Sequence, residues 1–143
     1  MQAEQISIFL ENKAGRLSEV TGILARAKVN IRALALADTS DFGVLRLIVD
    51  NNAVAEQALK ESGFTVRKTK VVAVEVDDRP GGLFNILEVL KTAKINVEYM
   101  YAFIRQSGDK AIMVFRFDQP DDAIQVLTKN GIKVINGNDL YKL

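Results

Sequence analysis

The side chains best suited to bind a small ligand lie in two short loops of similar sequence. Asn12 stands three residues before Gly15, and Asp78 stands three residues before Gly81. Glycine lets another molecule approach the backbone closely, and free N–H groups at the start of a helix attract an anion such as a carboxylate. An amide both donates and accepts hydrogen bonds, whereas an ionised carboxylate only accepts them and so favours an ammonium group. The two loops therefore predict a site for a small charged molecule.

A second pair of polar residues follows the helix that starts at each loop. Asn30 and Asn96 stand just before the next predicted strand, which would allow them to return toward the same loop. A simpler interpretation stays open. Asn, Asp and Gly are also the ordinary residues of tight turns, and Asn can end a helix in the left-handed conformation.

The amino acid composition excludes several kinds of catalytic site. The 143 residues include no cysteine and no histidine. Thiolate nucleophiles, iron–sulfur clusters, cysteine-bound zinc and the commonest general base are therefore excluded. The acidic groups Asp77, Asp78 and Asp109, and the pair Asp121 and Asp122, have no further ligand at a recognisable spacing. We therefore expect a protein that is not an enzyme and that binds neither a metal nor another cofactor.

The charge and hydropathy of the chain restrict its partners. The formal net charge is +1, so no overall field attracts the protein to nucleic acid or to a membrane surface. No apolar run approaches the roughly 18–20 residues of a membrane span. Residues 1–5 lack the basic and apolar regions of a signal peptide. We expect a cytoplasmic protein that binds neither nucleic acid nor membranes.

Hydrophobic periodicity predicts the same order of elements in both halves of the chain. Each half reads as strand, helix, strand, strand, helix, strand, because apolar residues alternate in the strands and recur every three to four residues in the helices. Displacing the sequence by 66 positions pairs Gly15 with Gly81 and Asn30 with Asn96. This internal repetition indicates a duplicated structural unit. The last residues, 136–143, are predicted as a turn and a short tail.

The predicted fold class is α+β, with two ferredoxin-like βαββαβ units at residues 1–70 and 71–143. The right-handed crossover rule gives each unit an antiparallel sheet with both helices on one face and its first and third strands in the centre. Units of about 70 residues are only marginally stable alone. Tyr99, Tyr101 and Phe103 make one helix-free strand face apolar, which suggests further burial in a homodimer.

One loop and its surroundings resemble the signature of a known family. The segment Asp78-Arg79-Pro80-Gly81-Gly82-Leu83, followed by a helix and Ile95-Asn96-Val97, is similar to the ACT domain. The resemblance covers nearly the whole chain, as two ACT units in tandem with nothing appended. It implies the βαββαβ fold and a regulatory module that binds an amino acid between the loop of one unit and the strand edge of another.

The resemblance also implies which residues contact the ligand. They occupy the loop and strand-entry positions of both copies: Asn12, Ala14, Gly15, Leu17, Asn30, Ile31, Asp78, Pro80, Gly81, Leu83, Asn96 and Val97. The first copy departs from the pattern, because Ala14 stands where the second copy has Pro80. Which copy binds, or whether both do, therefore stays open.

The function that the resemblance implies is non-enzymatic. The protein would bind a free amino acid and act allosterically on a separate metabolic enzyme or transporter. The alternative is an interaction subunit that binds no ligand and docks on an enzyme of amino-acid metabolism.

Overall fold

Seven strands and five helices form within the residues that this computed structural model describes, which are 1–38, 41–103 and 109–143. None of the helices in these segments is long and apolar enough to cross a membrane. In chain order the elements are β1 (Ala3–Glu11), α1 (Arg16–Arg26), β2 (Ile31–Asp38), β3 (Phe42–Val49), α2 (Asn52–Glu61), β4 (Thr65–Asp77), α3 (Gly82–Thr92), β5 (Val97–Ala102), β6 (Lys110–Phe117), α4 (Pro120–Lys129), β7 (Val134–Ile135) and α5 (Gly137–Lys142).

The chain divides into two compact units, one of residues 4–69 and one of residues 1–3 with 70–143. In the first unit β3 lies between β1 and β2 and is antiparallel to both. Alternate residues of β1 point toward the two helices, as the period-two pattern predicts. The buried side chains that form this core are Ile6, Ile8, Leu10, Val20, Ile23, Leu24, Val29, Leu45, Leu47, Val49, Ala55 and Leu59.

The second unit repeats this arrangement with its own core. Its strand order is β7, β4, β6, β5, with antiparallel neighbours. The first and third strands of the unit therefore lie in the centre, as predicted. Phe115 and Phe117 stack at 5.3 Å between ring centroids in the core under the helices. The predicted α+β class, with two βαββαβ units, is confirmed.

The first helix of each unit ends in a left-handed residue that the sequence did not indicate. Lys28 and Lys94 both have φ 59°. The N–H of Lys94 donates to the carbonyl of Lys91, and the N–H of Ile95 donates to the carbonyl of Leu90, which is a Schellman ending. The left-handed position therefore lies two residues before each strand-entry asparagine. The interpretation of Asn30 and Asn96 as left-handed helix ends is wrong.

Two further expectations change in the structure, and a third is only partly covered by the described residues. The last residues do not form an irregular tail, because the side chain of Asn136 accepts a hydrogen bond from the N–H of Asp139 at 2.9 Å and caps α5. Tyr101 and Phe103 are only 8% and 7% exposed within the single chain, so most of that aromatic face is already covered. The predicted turns at 38–41 and 106–109 lie partly outside the described residues.

Gly82 is fixed by a close backbone contact at the start of α3. A Cβ at this position would lie 2.0 Å from the carbonyl oxygen of Asp77. Backbone atoms cannot move aside cheaply, so we expect Gly82→Ala to lower the free energy of unfolding by about 1–3 kcal/mol. The measurement is urea unfolding followed by far-UV circular dichroism.

Gly22 offers a matched control inside α1. There a Cβ would meet only the flexible guanidinium of Arg26, at 3.3 Å. Gly22→Ala should raise the free energy of unfolding by about 0.5–1 kcal/mol, since alanine loses less backbone entropy in a helix. Equal effects of the two substitutions would contradict the contact at Asp77.

The left-handed lysines give a second prediction. The left-handed conformation destabilises an L-residue by about 1–2 kcal/mol, a cost that glycine avoids. Lys94→Gly should therefore raise the free energy of unfolding by up to about 1 kcal/mol. Lys91→Gly, in the right-handed last turn of the same helix, should destabilise it by about 1 kcal/mol. Thermal unfolding of the two variants compares them directly, and a loss of stability in both would refute the prediction.

Candidate functional site

The two candidate loops have the same backbone hydrogen bonds. In the first, the N–H of Lys13 donates to the carbonyl of Glu11 at 2.9 Å. In the second, the N–H of Arg79 donates to the carbonyl of Asp77, also at 2.9 Å. The internal repeat therefore extends from the order of elements to the shape of the loop.

Each loop ends at a helix whose N-cap residue is a glycine, which has no side chain to cap the first turn. Gly15 and Gly81 occupy the N-cap positions with φ of 89° and 85°, a conformation that other residues rarely adopt. In α2, by contrast, the side chain of Asn51 accepts a hydrogen bond from the N–H of Val54. The first N–H groups of a helix have no acceptor within the helix. The N–H groups of Arg16 and Gly82, the first residues of α1 and α3, already donate to the carbonyls of Lys13 and Arg79 at 3.3 and 3.0 Å, so an anion at either helix start would have to use the N–H groups that follow.

The polar and glycine residues predicted for the site are all at the surface. A Cβ at Gly15 or Gly81 would meet no atom within 4 Å, so the space beside both glycines is open. The exposed members of the set are Asn12, Ala14, Gly15, Leu17, Asn30, Asp78, Pro80, Gly81 and Asn96, and the half-buried ones are Ile31, Leu83 and Val97.

The first loop and its strand-entry asparagine lie at opposite ends of the sheet. Ile31, which follows Asn30, pairs with Val49 at the end of β3. The N–H of Asn12 donates to the carbonyl of Asp41, just before the start of β3, at 2.9 Å. The eight residues of β3 therefore separate the two places by roughly 25 Å. The expectation that Asn30 returns toward the loop of its own unit is wrong.

The second unit shows the same separation. Phe117, at one end of β6, pairs with Val97 at the strand entry. Lys110, at the other end of β6, pairs with Asp77 beside the loop. The structure brings each loop together with the start of the following helix, but not with the strand-entry residues of the same unit.

A reciprocal pair of hydrogen bonds holds each strand entry. The N–H of Asn30 donates to the Asp50 carboxylate at 2.9 Å, and the N–H of Asp50 donates to the carbonyl of Asn30 at 3.1 Å. Asn96 and Asp118 repeat both bonds at 3.0 and 3.2 Å. The sequence did not indicate this role of Asp50 and Asp118. The available signal was that the repeat aligns these two aspartates.

Ion pairs surround the last residue before each loop. Lys13 and Arg16 both lie 3.3 Å from the Glu11 carboxylate, and the hydrogen bond and charge of Lys13 lower the pKa of Glu11. In the second unit, hydrogen bonds from Lys110 and then Arg79 lower the pKa of Asp77. Both carboxylates are therefore ionised at neutral pH, which makes them unsuitable as general acids.

A cleft lies beside each loop, at equivalent positions in the two units. The volumes are about 370 and 360 Å³, within the range of small-molecule sites. The residues that line the two clefts occupy equivalent positions of the internal repeat but differ in chemical type. The first cleft is lined by Phe9, Leu10, Glu11, Arg16, Glu19, Phe42, Ser62, Gly63, Phe64 and Thr65, and the second by Glu75, Asp77, Gly82, Asn85, Ile86, Lys110, Gly131, Ile132 and Lys133.

Comparisons with known proteins agree with this duplicated architecture. A protein called BT0572 from Bacteroides thetaiotaomicron has a solved structure that is 41% identical, covers 100% of this chain and 98% of its own, and superimposes with a TM-score of 0.94. The regulatory subunit of aspartate kinase from Thermus thermophilus is 14% identical and has a TM-score of 0.62 over 88% of this chain and 91% of its own. This second likeness concerns the fold alone.

A curated relative matches part of the sequence. The acetolactate synthase small subunit of Buchnera aphidicola subsp. Baizongia pistaciae is 28% identical over 81 residues, which are 54% of this chain and 51% of that protein. The match thus spans about half the length of that relative.

A family model described as the ACT domain pair matches residues 1–143. The resemblance to a tandem ACT protein, predicted from the two loops, is confirmed. The chain belongs to the ACT domain pair family.

Proposed function

We propose that this protein binds a free amino acid and regulates a separate enzyme or transporter of amino-acid metabolism. The observation that carries the proposal is the duplicated loop, in which a polar residue precedes a helix start with glycine at the N-cap. Membership of the ACT domain pair family supports it. The relative that is an acetolactate synthase small subunit supports a partner enzyme.

The loop chemistry matches the two charged groups that all amino acids share. The α-carboxylate accepts hydrogen bonds from the second and third N–H groups of α1 or α3, where the helix dipole favours negative charge. The α-ammonium donates to the Asn12 amide oxygen or to the Asp78 carboxylate. The protein supplies binding and no catalytic step, and we place it in the cytoplasm.

The separation of loop and strand entry gives binding a structural consequence. Asn12 and Asn30 cannot contact one ligand within a unit, because β3 keeps them at opposite ends. A site that uses both kinds of residue therefore needs groups from outside the unit that supplies the loop. A ligand held there favours the arrangement that brings the two together, and the bound partner responds to that arrangement.

The experiment is a thermal-shift screen with the twenty amino acids at millimolar concentration. A ligand present at 100 times its dissociation constant stabilises the folded protein by about 2.7 kcal/mol, which raises the melting temperature measurably. The proposal predicts that at least one amino acid does so. No shift with any of them, together with copurification of an enzyme, would instead favour the interaction subunit without a ligand.

Two substitutions assign the binding unit. Asp78→Ala should abolish the shift if the second loop binds the ammonium, and Asn12→Ala should abolish it if the first loop does. Asp122→Ala and Asn138→Ala, at exposed positions outside both loops, are the matched controls and should keep the shift. A shift that survives both loop substitutions would contradict the proposed contacts.

A further inference from the structure

The cleft beside the first loop has an aromatic lining. Phe9, Phe42 and Phe64 line it, and the first two are 39% and 60% exposed. Apolar side chains that are exposed singly need no explanation, but a group of them in a concave site indicates binding. All three rings belong to the unit of residues 4–69, so one unit forms this cleft by itself.

The equivalent cleft of the second unit lacks these rings. In the internal repeat the counterparts of Phe9, Phe42 and Phe64 are Glu75, Lys110 and Ile132. The strand register agrees with this assignment. Phe42 pairs with Glu11 beside the first loop. Lys110 pairs in the same way with Asp77 beside the second loop. Two aromatic positions of the first cleft are therefore charged in the second.

Ion pairs satisfy the charges of the second cleft. Lys110 forms an ion pair with Asp77. Lys133 lies 3.5 Å from the carboxylate of Glu75, whose side chain is only 14% exposed. These ion-paired side chains stand where the first cleft has its exposed rings. One geometry thus presents an apolar surface in the first unit and a charged, paired surface in the second.

The charged groups of the first cleft are also paired, which leaves its rings as the surface that a ligand can cover. Arg16 is the cation among the described lining residues, and it lies 2.8 Å from the Glu19 carboxylate and 3.3 Å from the Glu11 carboxylate. The guanidinium of Arg67 lies 5.6 Å from the centroid of the Phe9 ring, a cation–π contact that helps to fix this ring. The charged groups of a ligand must therefore bind at the adjoining loop.

From the exposed rings and their replacement by ion-paired residues in the repeat, we infer that the first cleft selects the side chain of an aromatic amino acid. The inference rests on the proposed function, because the Asn12 loop holds the ligand's charged groups and the cleft holds its ring. Aromatic rings pack edge-to-face or offset with centroids about 4.5–7 Å apart. Phe9 and Phe42 offer such contacts from two neighbouring strands, whereas the second cleft offers none.

The test compares aromatic amino acids with amino acids that lack a ring. Isothermal titration calorimetry of the full chain should show that phenylalanine binds at least about ten-fold more tightly than alanine or aspartate, because the ring buries additional apolar area. Tighter binding of an amino acid without a ring would overturn this inference and leave the proposed function standing.

Phe42→Lys copies the residue that the second unit has at the equivalent position. Glu11 lies opposite and can pair with the new ammonium, so the fold should be retained. The affinity for phenylalanine should fall at least about ten-fold, since a ring contact and its apolar area are lost. Phe84→Lys is the matched control, because Phe84 is 62% exposed on α3 and lines neither cleft. Equal affinities of the two variants would overturn the inference.

Phe9→Glu, which copies Glu75, checks the other exposed ring independently. Arg67 lies beside this position and can pair with the new carboxylate, so the circular dichroism spectrum should not change. Phenylalanine affinity should fall as in Phe42→Lys, and an unchanged affinity would overturn the inference. If no amino acid binds the wild-type protein, the proposed function fails as well. If amino acids bind but both ring substitutions leave phenylalanine affinity unchanged, only the present inference fails.

Discussion

The length of the first helix in each unit determines how far the candidate loop lies from the strand-entry asparagine. A helix of 11 residues advances about 16 Å, which carries the chain from the loop at one end of the sheet to the other end before the next strand begins. The loop and the strand-entry asparagine are thus close along the chain but lie far apart in the folded unit.

Much of the fold was predictable from local patterns. The alternation of Ile6, Ile8 and Leu10 indicates β1, and Gly63 and Gly131 take positive φ where α2 and α4 end. Such signals depend on a residue's own conformational preference and on the period of the apolar side chains. The left-handed lysines at 28 and 94 were not predictable in this way, because lysine has no preference for that conformation and the surrounding hydrogen bonds impose it.

The candidate site was only partly predictable, and the reason is physical. Glycine at the two N-caps is visible in the sequence, since positive φ favours that residue. The groups around the loops and the strand entries come from distant segments: Lys110 reaches Asp77 beside the second loop across 33 positions, and Asp50 reaches Asn30 at the first strand entry across 20. Only the sheet register brings these residues together. The opposite placement of Asn12 and Asn30, however, follows from the topology already predicted. A single helix that connects two parallel strands returns the chain to the opposite end of the sheet before the second strand begins.

The reciprocal bonds between Asn30 and Asp50, and between Asn96 and Asp118, have one more consequence. They hold the backbone of each strand entry within its own unit. Folding has therefore already removed the conformational freedom of this segment. A molecule that arrives there meets a preorganised surface, and little of its interaction energy is lost in ordering the backbone.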